Sequence, residues 1–142
     1  MGPAKTSGSP SWRGIDHVQL AIPRGGEHAA REFYVGVLGF TEVPKPPVMA
    51  ARGGAWFEAG DTRLHVGVEP AFTPARKAHP ALLIEGLRAF IEASGVEARW
   101  SDEIPDSVRC HIDDPFGNRI ELIEAGPSIS AVEPNGEGGG ER

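Results

Sequence analysis

The spacing of apolar residues changes period twice along this chain, in the same order each time. From Ile15 to Ile22 apolar and polar residues alternate, with Val18, Leu20 and Ile22 on one side and His17 and Gln19 on the other. A period of two predicts a half-buried strand. Pro23 and the Gly25-Gly26 pair end it. From about Glu27, the residues Ala30, Phe33, Tyr34, Val37 and Leu38 recur at helical spacing and predict a helix with one apolar face, stopped at Gly39. Residues 40–43 read as a short strand, and 44–54, with three prolines, as a loop. Residues 55–59 and 63–69 then read as two strands joined by a hairpin turn at Gly60-Asp61.

The second half follows the same plan after a connector at 70–77. Residues 79–84 read as a strand with Pro80 near its start, where the missing N–H is tolerated. Leu87, Phe90 and Ile91 mark a short helix closed by Gly95, and 96–100 a strand. Residues 107–113 and 118–124 form a hairpin around Asp114-Pro115-Phe116-Gly117. Gly39-Phe40 answers to Gly95-Val96, and Leu64-His65-Val66 to Ile120-Glu121-Leu122. The chain therefore predicts an α+β fold of two tandem βαβββ modules of about 55 residues each, at 14–70 and 78–125. Neither is large enough to bury a good core alone, so the two must pack together or exchange between chains. Residues 1–13 and 126–142, rich in Gly, Ser and Pro and without periodicity, are predicted to be disordered tails.

Composition adds exclusions. A net charge of −6 with no basic cluster disfavours nucleic acid and anionic membranes as partners. The single cysteine, Cys110, rules out an internal disulfide and fits a reducing compartment. No apolar run approaches a membrane span, and the first residues lack a secretory apolar core. These features predict a cytoplasmic protein.

Four polar residues interrupt apolar strands. His65 lies between Leu64 and Val66, and Glu121 between Ile120 and Leu122. Alternation sends each to the face opposite its neighbours, and His17 and His79 sit near the start of each module. All four can line one concave side. Imidazole and carboxylate suit Zn, Ni, Fe, Mn or Co, whereas Mg and Ca prefer oxygen alone. Three neutral imidazoles and one carboxylate would leave a divalent ion with a net charge of about +1 and, at six-coordination, two open positions for neighbouring substrate oxygens.

With the repeated βαβββ pattern, the opening Ile15-Asp16-His17-Val18 and the ending from Asp114 to Leu122 resemble the vicinal oxygen chelate superfamily, the glyoxalase, bleomycin-resistance and extradiol-dioxygenase group. The resemblance covers roughly residues 14–125, and the ending is its most specific part. It implies a cup-shaped mixed sheet, a divalent metal at His17, His65, His79 and Glu121, a small-molecule substrate, and a homodimer arranged side by side or with modules exchanged. Glyoxalase I proteins usually carry glutamate where this chain has His65, which argues against that activity. Dioxygenases and fosfomycin-resistance transferases resemble the chain at His17, His79 and Glu121. The function implied is a metal-dependent enzyme on a small oxygenated metabolite or antibiotic. The alternative is a bleomycin-resistance-like protein that sequesters a ligand without chemistry.

Gln19 shares the face of His17 and, with Trp56, Trp100 and Phe116, is a candidate for substrate contact, although core packing is the ordinary role of such aromatics. Arg52, Arg76 and Lys77 lie on loops, where solvated surface is the ordinary role. Alternation sends His111 and Cys110 to opposite faces, which argues against a joint role. His28 and Glu32 read as an exposed i, i+4 pair on the first helix. No dinucleotide fingerprint, P-loop, nucleophile elbow or His-Glu-x-x-His pattern occurs.

Overall fold

The computed structural model describes residues 8–126, and the remainder of both predicted tails lies outside them. Residues 8–13 are exposed and form neither helix nor strand. Two four-stranded mixed sheets follow. The first comprises β1 (Val18–Ile22), β2 (Thr41–Val43), β3 (Ala55–Ala59) and β4 (Thr62–Val68), in the order β1-β4-β3-β2. The second repeats it with β5 (Ala81–Ile84), β6 (Arg99–Ser101), β7 (Arg109–Asp113) and β8 (Arg119–Glu124), in the order β5-β8-β7-β6. In each, the first strand pairs parallel with the fourth and the other pairs are antiparallel. The predicted α+β fold of paired βαβββ modules is the one observed.

Element ends differ from the sequence reading where a neighbour, rather than local pattern, sets them. β1 starts at Val18, because Leu64 of β4 is the first residue to pair with it, and Ile15 is left 82% exposed. β5 starts at Ala81, after Pro80, whose carbonyl still accepts a hydrogen bond from Glu121 N–H at 2.9 Å. β6 begins at Arg99 rather than Val96. Within the predicted loop, a single helical turn, α2 (Pro47–Ala50), forms after Pro46. Proline is well placed there, since its absent N–H is one that a helix start leaves unpaired. The first helix begins as α1 (Glu27–Arg31) and widens into a π-helical stretch over Glu32–Val37. His28 Nε2 and Glu32 Oε2 lie 3.1 Å apart on its exposed side, as their spacing predicts.

One core joins the modules. Ile22, Phe33, Tyr34, Phe57, Leu64 and Val66 of the first half pack in the same cluster as Leu87, Cys110, Ile112, Ile120 and Leu122 of the second. This is the shared burial expected of halves too small to stand alone. Helix α3 (Leu87–Ser94) is fastened to β8 by Glu124, whose carboxylate accepts hydrogen bonds from Gly86 N–H at 2.9 Å and Leu87 N–H at 2.8 Å.

A polar latch crosses between the halves. The buried Tyr34 hydroxyl donates to Asp114 Oδ2 at 2.7 Å. Asp114 also accepts from Phe116 N–H, Asn118 N–H and the Asn118 amide, at 2.9, 2.8 and 2.9 Å. Asn118 Nδ2 in turn donates to Ala21 O, on the open edge of β1, at 2.9 Å. The β7–β8 turn thus shapes its own hairpin and grips module one. Among the described residues no helix is long and apolar enough to cross a membrane.

Candidate metal centre

Alternation in β4 buries Leu64 and Val66 in the core and turns His65 to the other face. Across the ladder His65 pairs with Gln19 of β1 and Trp56 of β3, which therefore share its face. The imidazole is sandwiched. The Trp56 ring stacks on one side with centroids 4.2 Å apart, and His17 on the other at 4.1 Å. Gln19 lies over Gly67, where an added Cβ would come within 2.5 Å of its amide nitrogen. That glycine makes room for the glutamine. His17 Nδ1 donates to Asp16 Oδ1 at 3.0 Å, and Arg63 donates to Asp16 Oδ2 at 3.2 Å. Burial first, then the nearby His17, pushes the His65 pKa below the ordinary histidine value. A cavity of about 340 Å³ opens onto the stack, with Met49 of α2 and Glu58 on its walls.

In module two, alternation buries Ile120 and Leu122 and turns Glu121 to the opposite face. Its two oxygens have different partners. Oε2 accepts from Arg109 Nη1 at 2.8 Å, and Oε1 lies 3.0 Å from His79 Nε2 and 3.8 Å from His111 Nε2. The hydrogen bonds from His79 and Arg109 outweigh burial and hold the carboxyl below its usual range, although burial is the largest single influence and acts the other way. Burial pushes the His111 pKa down. Among the described residues this is the one place where three His, Cys, Asp or Glu ligand atoms lie within 4.8 Å of one another.

The register makes the two sites equivalent. Gln19 pairs with His65 as Ala81 pairs with Glu121, and His17 and His79 each stand two residues before. Trp56 pairs with His65 as His111 pairs with Glu121. The four residues singled out from sequence therefore fall at matching positions. The structure brings His17 to His65 and His79 to Glu121. Among the described residues no hydrogen bond, ion pair or ring contact joins one set to the other. Trp56 lies at the site. Trp100 pairs with Cys110, on the core-facing side of β7, and stacks under the Arg88 guanidinium of α3 at 4.6 Å. Phe116 packs edge-on to Phe72 and against Gly26, at the join of the modules.

Sequence reasoning weighed His111 only beside Cys110 and left it out of the ligand set, and it did not raise Arg109. Alternation signalled the face of the first, away from buried Cys110, but the turn read over 114–117 would have set it opposite Ile120. Only the observed register, with Asp113 opposite Arg119, gives its partner as Glu121. Alternation then puts Arg109 on the same face.

The chemistry of the donors fits a divalent transition metal. His79 Nδ1 lies 2.7 Å from Lys77 O, which can only accept, so Nδ1 carries a proton. A neutral His79 then directs its Nε2 lone pair at an oxygen of an ionised carboxylate. Two lone pairs 3.0 Å apart require a cation between them, either a second proton or a metal ion. An Nδ1–H held by a carbonyl is also the usual support of a metal-binding imidazole. His79 further lines a cavity of about 670 Å³ between the open edges of β1 and β5, with Gln19, Leu20, Ala81, Leu82 and Asn118.

No family model and no curated protein matches the chain. Solved structures do match it. A glyoxalase family protein from Bacillus anthracis is 43% identical, with a TM-score of 0.78, over 82% of this chain and 98% of that one. The fosfomycin resistance protein FosX from Listeria monocytogenes is 14% identical, with a TM-score of 0.61, over 80% and 94% of the two chains. TnmS3, an antibiotic binding protein from Streptomyces sp. CB03234, is 24% identical, with a TM-score of 0.58, over 80% and 98%. At the last two identities the likeness is one of fold.

Proposed function

This chain belongs to the glyoxalase group of the vicinal oxygen chelate superfamily, and on that premise we propose that it is a metal-dependent enzyme acting on a small oxygenated metabolite or antibiotic. The observation that carries the proposal is the convergence of His79 Nε2 and Glu121 Oε1 at 3.0 Å, with Nδ1 of the same ring committed to a carbonyl. Zn, Ni, Fe, Mn or Co suits these donors. An ion held there would supply Lewis-acid polarisation of a substrate oxygen, on which isomerase, lyase and ring-opening transferase chemistry draws, whereas dioxygenase chemistry would need a redox-active metal such as Fe or Mn.

The remaining roles fall to the chain. His79 and Glu121 hold the ion from module two, and His17 and His65 of module one complete the set, presented by a second copy in a homodimer. The lone pair of an imidazole lies in its ring plane. Two rings stacked 4.1 Å apart and 16° from parallel cannot both aim at one ion, so one must turn. His17 is the more exposed ring of the stack and the freer to do so. Arg109 keeps Glu121 ionised and turned toward the site, and the 670 Å³ cavity beside His79 is of a size for small molecules. Gln19 on its wall can donate to a substrate oxygen. A cytoplasmic setting belongs to the same proposal.

Elemental analysis of untagged protein purified without chelator tests it. Close to one transition metal per chain, lost in Glu121→Ala, is the expected result. Absence of metal, with none retained after reconstitution, would sink the proposal. A second reading has its own support, because Glu121 is fully paired by His79 and Arg109 and the network is satisfied without an ion. On that reading the chain sequesters a small molecule, and binding survives chelator and Glu121→Ala.

A further inference from the structure

We propose that His111 is itself a protein ligand, so that module two holds the ion with three donors from a single chain: His79 Nε2, His111 Nε2 and one oxygen of Glu121. The inference rests on the metal reading above and changes what that reading requires of module one.

Three independent features support it. The first is register. His111 is the direct cross-strand partner of Glu121 in the β7–β8 hairpin, and such pairs share a face with their side chains in reach of one another. Its position is set by the hairpin itself rather than by a flexible loop.

The second is direction. The His79 and His111 rings meet nearly at right angles, 79° between planes with centroids 5.0 Å apart. Both Nε2 atoms approach the same oxygen of Glu121, at 3.0 and 3.8 Å. Donors on one ion at metal–nitrogen distances of about 2.1 Å stand roughly 3–3.5 Å apart; the three donor atoms here lie within 4.8 Å of one another and would draw together around an ion. The His17–His65 stack offers no such convergence.

The third is Arg109. By occupying Oε2 at 2.8 Å it leaves Oε1, the oxygen both histidines face, as the free donor. Arg109 is a positioning residue here, and it makes Glu121 a one-oxygen ligand.

Module two would then load metal without a facing module one, and a second copy would adjust the substrate side rather than create the site. The test is a titration of full-length, chelator-treated protein with Co²⁺, followed by visible absorption and calorimetry. It compares wild type, His111→Ala, His111→Phe (which keeps ring volume and removes the donor) and His17→Ala, each checked for wild-type circular dichroism. The expected result is a loss of Co²⁺ affinity of at least ~10-fold in both His111 variants, with an altered absorption band. His17→Ala should bind more tightly than either. Wild-type affinity and spectrum in folded His111→Phe would overturn the role of His111 while leaving a metal site in place. Failure of the wild-type protein to bind Co²⁺ would overturn the underlying metal reading as well, so the two failures are distinct.

Discussion

Replacing Tyr34 by phenylalanine removes one atom from the latch between the modules, and the structure sets the expected cost. The Tyr34 side chain is wholly buried, and its hydroxyl donates at 2.7 Å to a carboxylate that is itself buried. Hydrogen bonds to charged groups contribute about 1.5–3 kcal/mol each. The acceptor is not orphaned by the change, because Asp114 Oδ2 keeps the Asn118 amide at 2.9 Å and Oδ1 keeps two backbone donors. That places the loss near the middle of the range, at about 2 kcal/mol. For a chain of this length the melting temperature should fall by about 6–10 °C. Urea melts followed by circular dichroism should show a lower midpoint with an unchanged slope. A double-mutant cycle with Asp114→Asn should be non-additive, since the two groups touch. The chain has one tyrosine, which supplies a second assay. Burial, reinforced by Asp114, pushes the phenol far above its ordinary range. Tyrosinate absorbance should therefore stay absent through pH 11 and rise only with unfolding. A Tyr34→Phe protein within about 0.5 kcal/mol of wild type, or a native tyrosine titrating near pH 10, would refute the latch.

Other expectations follow from the same geometry. Gly54→Ala places a Cβ 2.2 Å from Val66 O at φ +84°; it should cost at least about 2 kcal/mol in urea melts and alter tryptophan fluorescence through Trp56. Arg109→Leu strips a buried carboxylate of one of its two partners and should cost about 2–3 kcal/mol, much of it recovered in the Arg109→Leu/Glu121→Leu double variant. Stability of the metal-free protein should fall on acidification. His65 and His111 are depressed by burial, so below about pH 6.5 the unfolded chain binds more protons than the folded one. The depressed Glu121 acts in the same sense, its contribution being lost as pH falls below about 4.5. Urea midpoints at pH 7, 5.5 and 4 that do not fall would contradict both.

Alternation carried most of what was legible in the sequence. Leu64-His65-Val66 and Ile120-Glu121-Leu122 each state, in three letters, which side chain leaves the core, and both strands behave accordingly. The meeting of His111 with Glu121 was not readable by counting: a turn over 114–117 would set His111 opposite Ile120, but Asp114 N–H donates to Asn118 O and the shorter loop moves its partner to Glu121. The side on which Trp100 falls was not readable either, because a seven-residue connection separates β6 from β7 and leaves their relative parity open. The π-helical widening after Arg31 has no local signature: Ala30, Phe33, Tyr34 and Val37 recur as in any amphipathic helix. Nor does sequence reveal that His65 would lie between two rings, since that depends on the side-chain rotamers of Trp56 and His17.

The matched register of the two sheets also makes each half a ready control for the other. At corresponding places one half carries His17, Trp56 and His65 and the other His79, His111 and Glu121. Two exchanges, Trp56→His and His65→Glu, would write the second set of side chains onto the first backbone. The fold thus works as a natural pair of sockets of one shape. Whether imidazole and carboxylate chemistry follows side-chain identity alone, or needs the Arg109 that only one socket owns, becomes a question that a single polypeptide can answer.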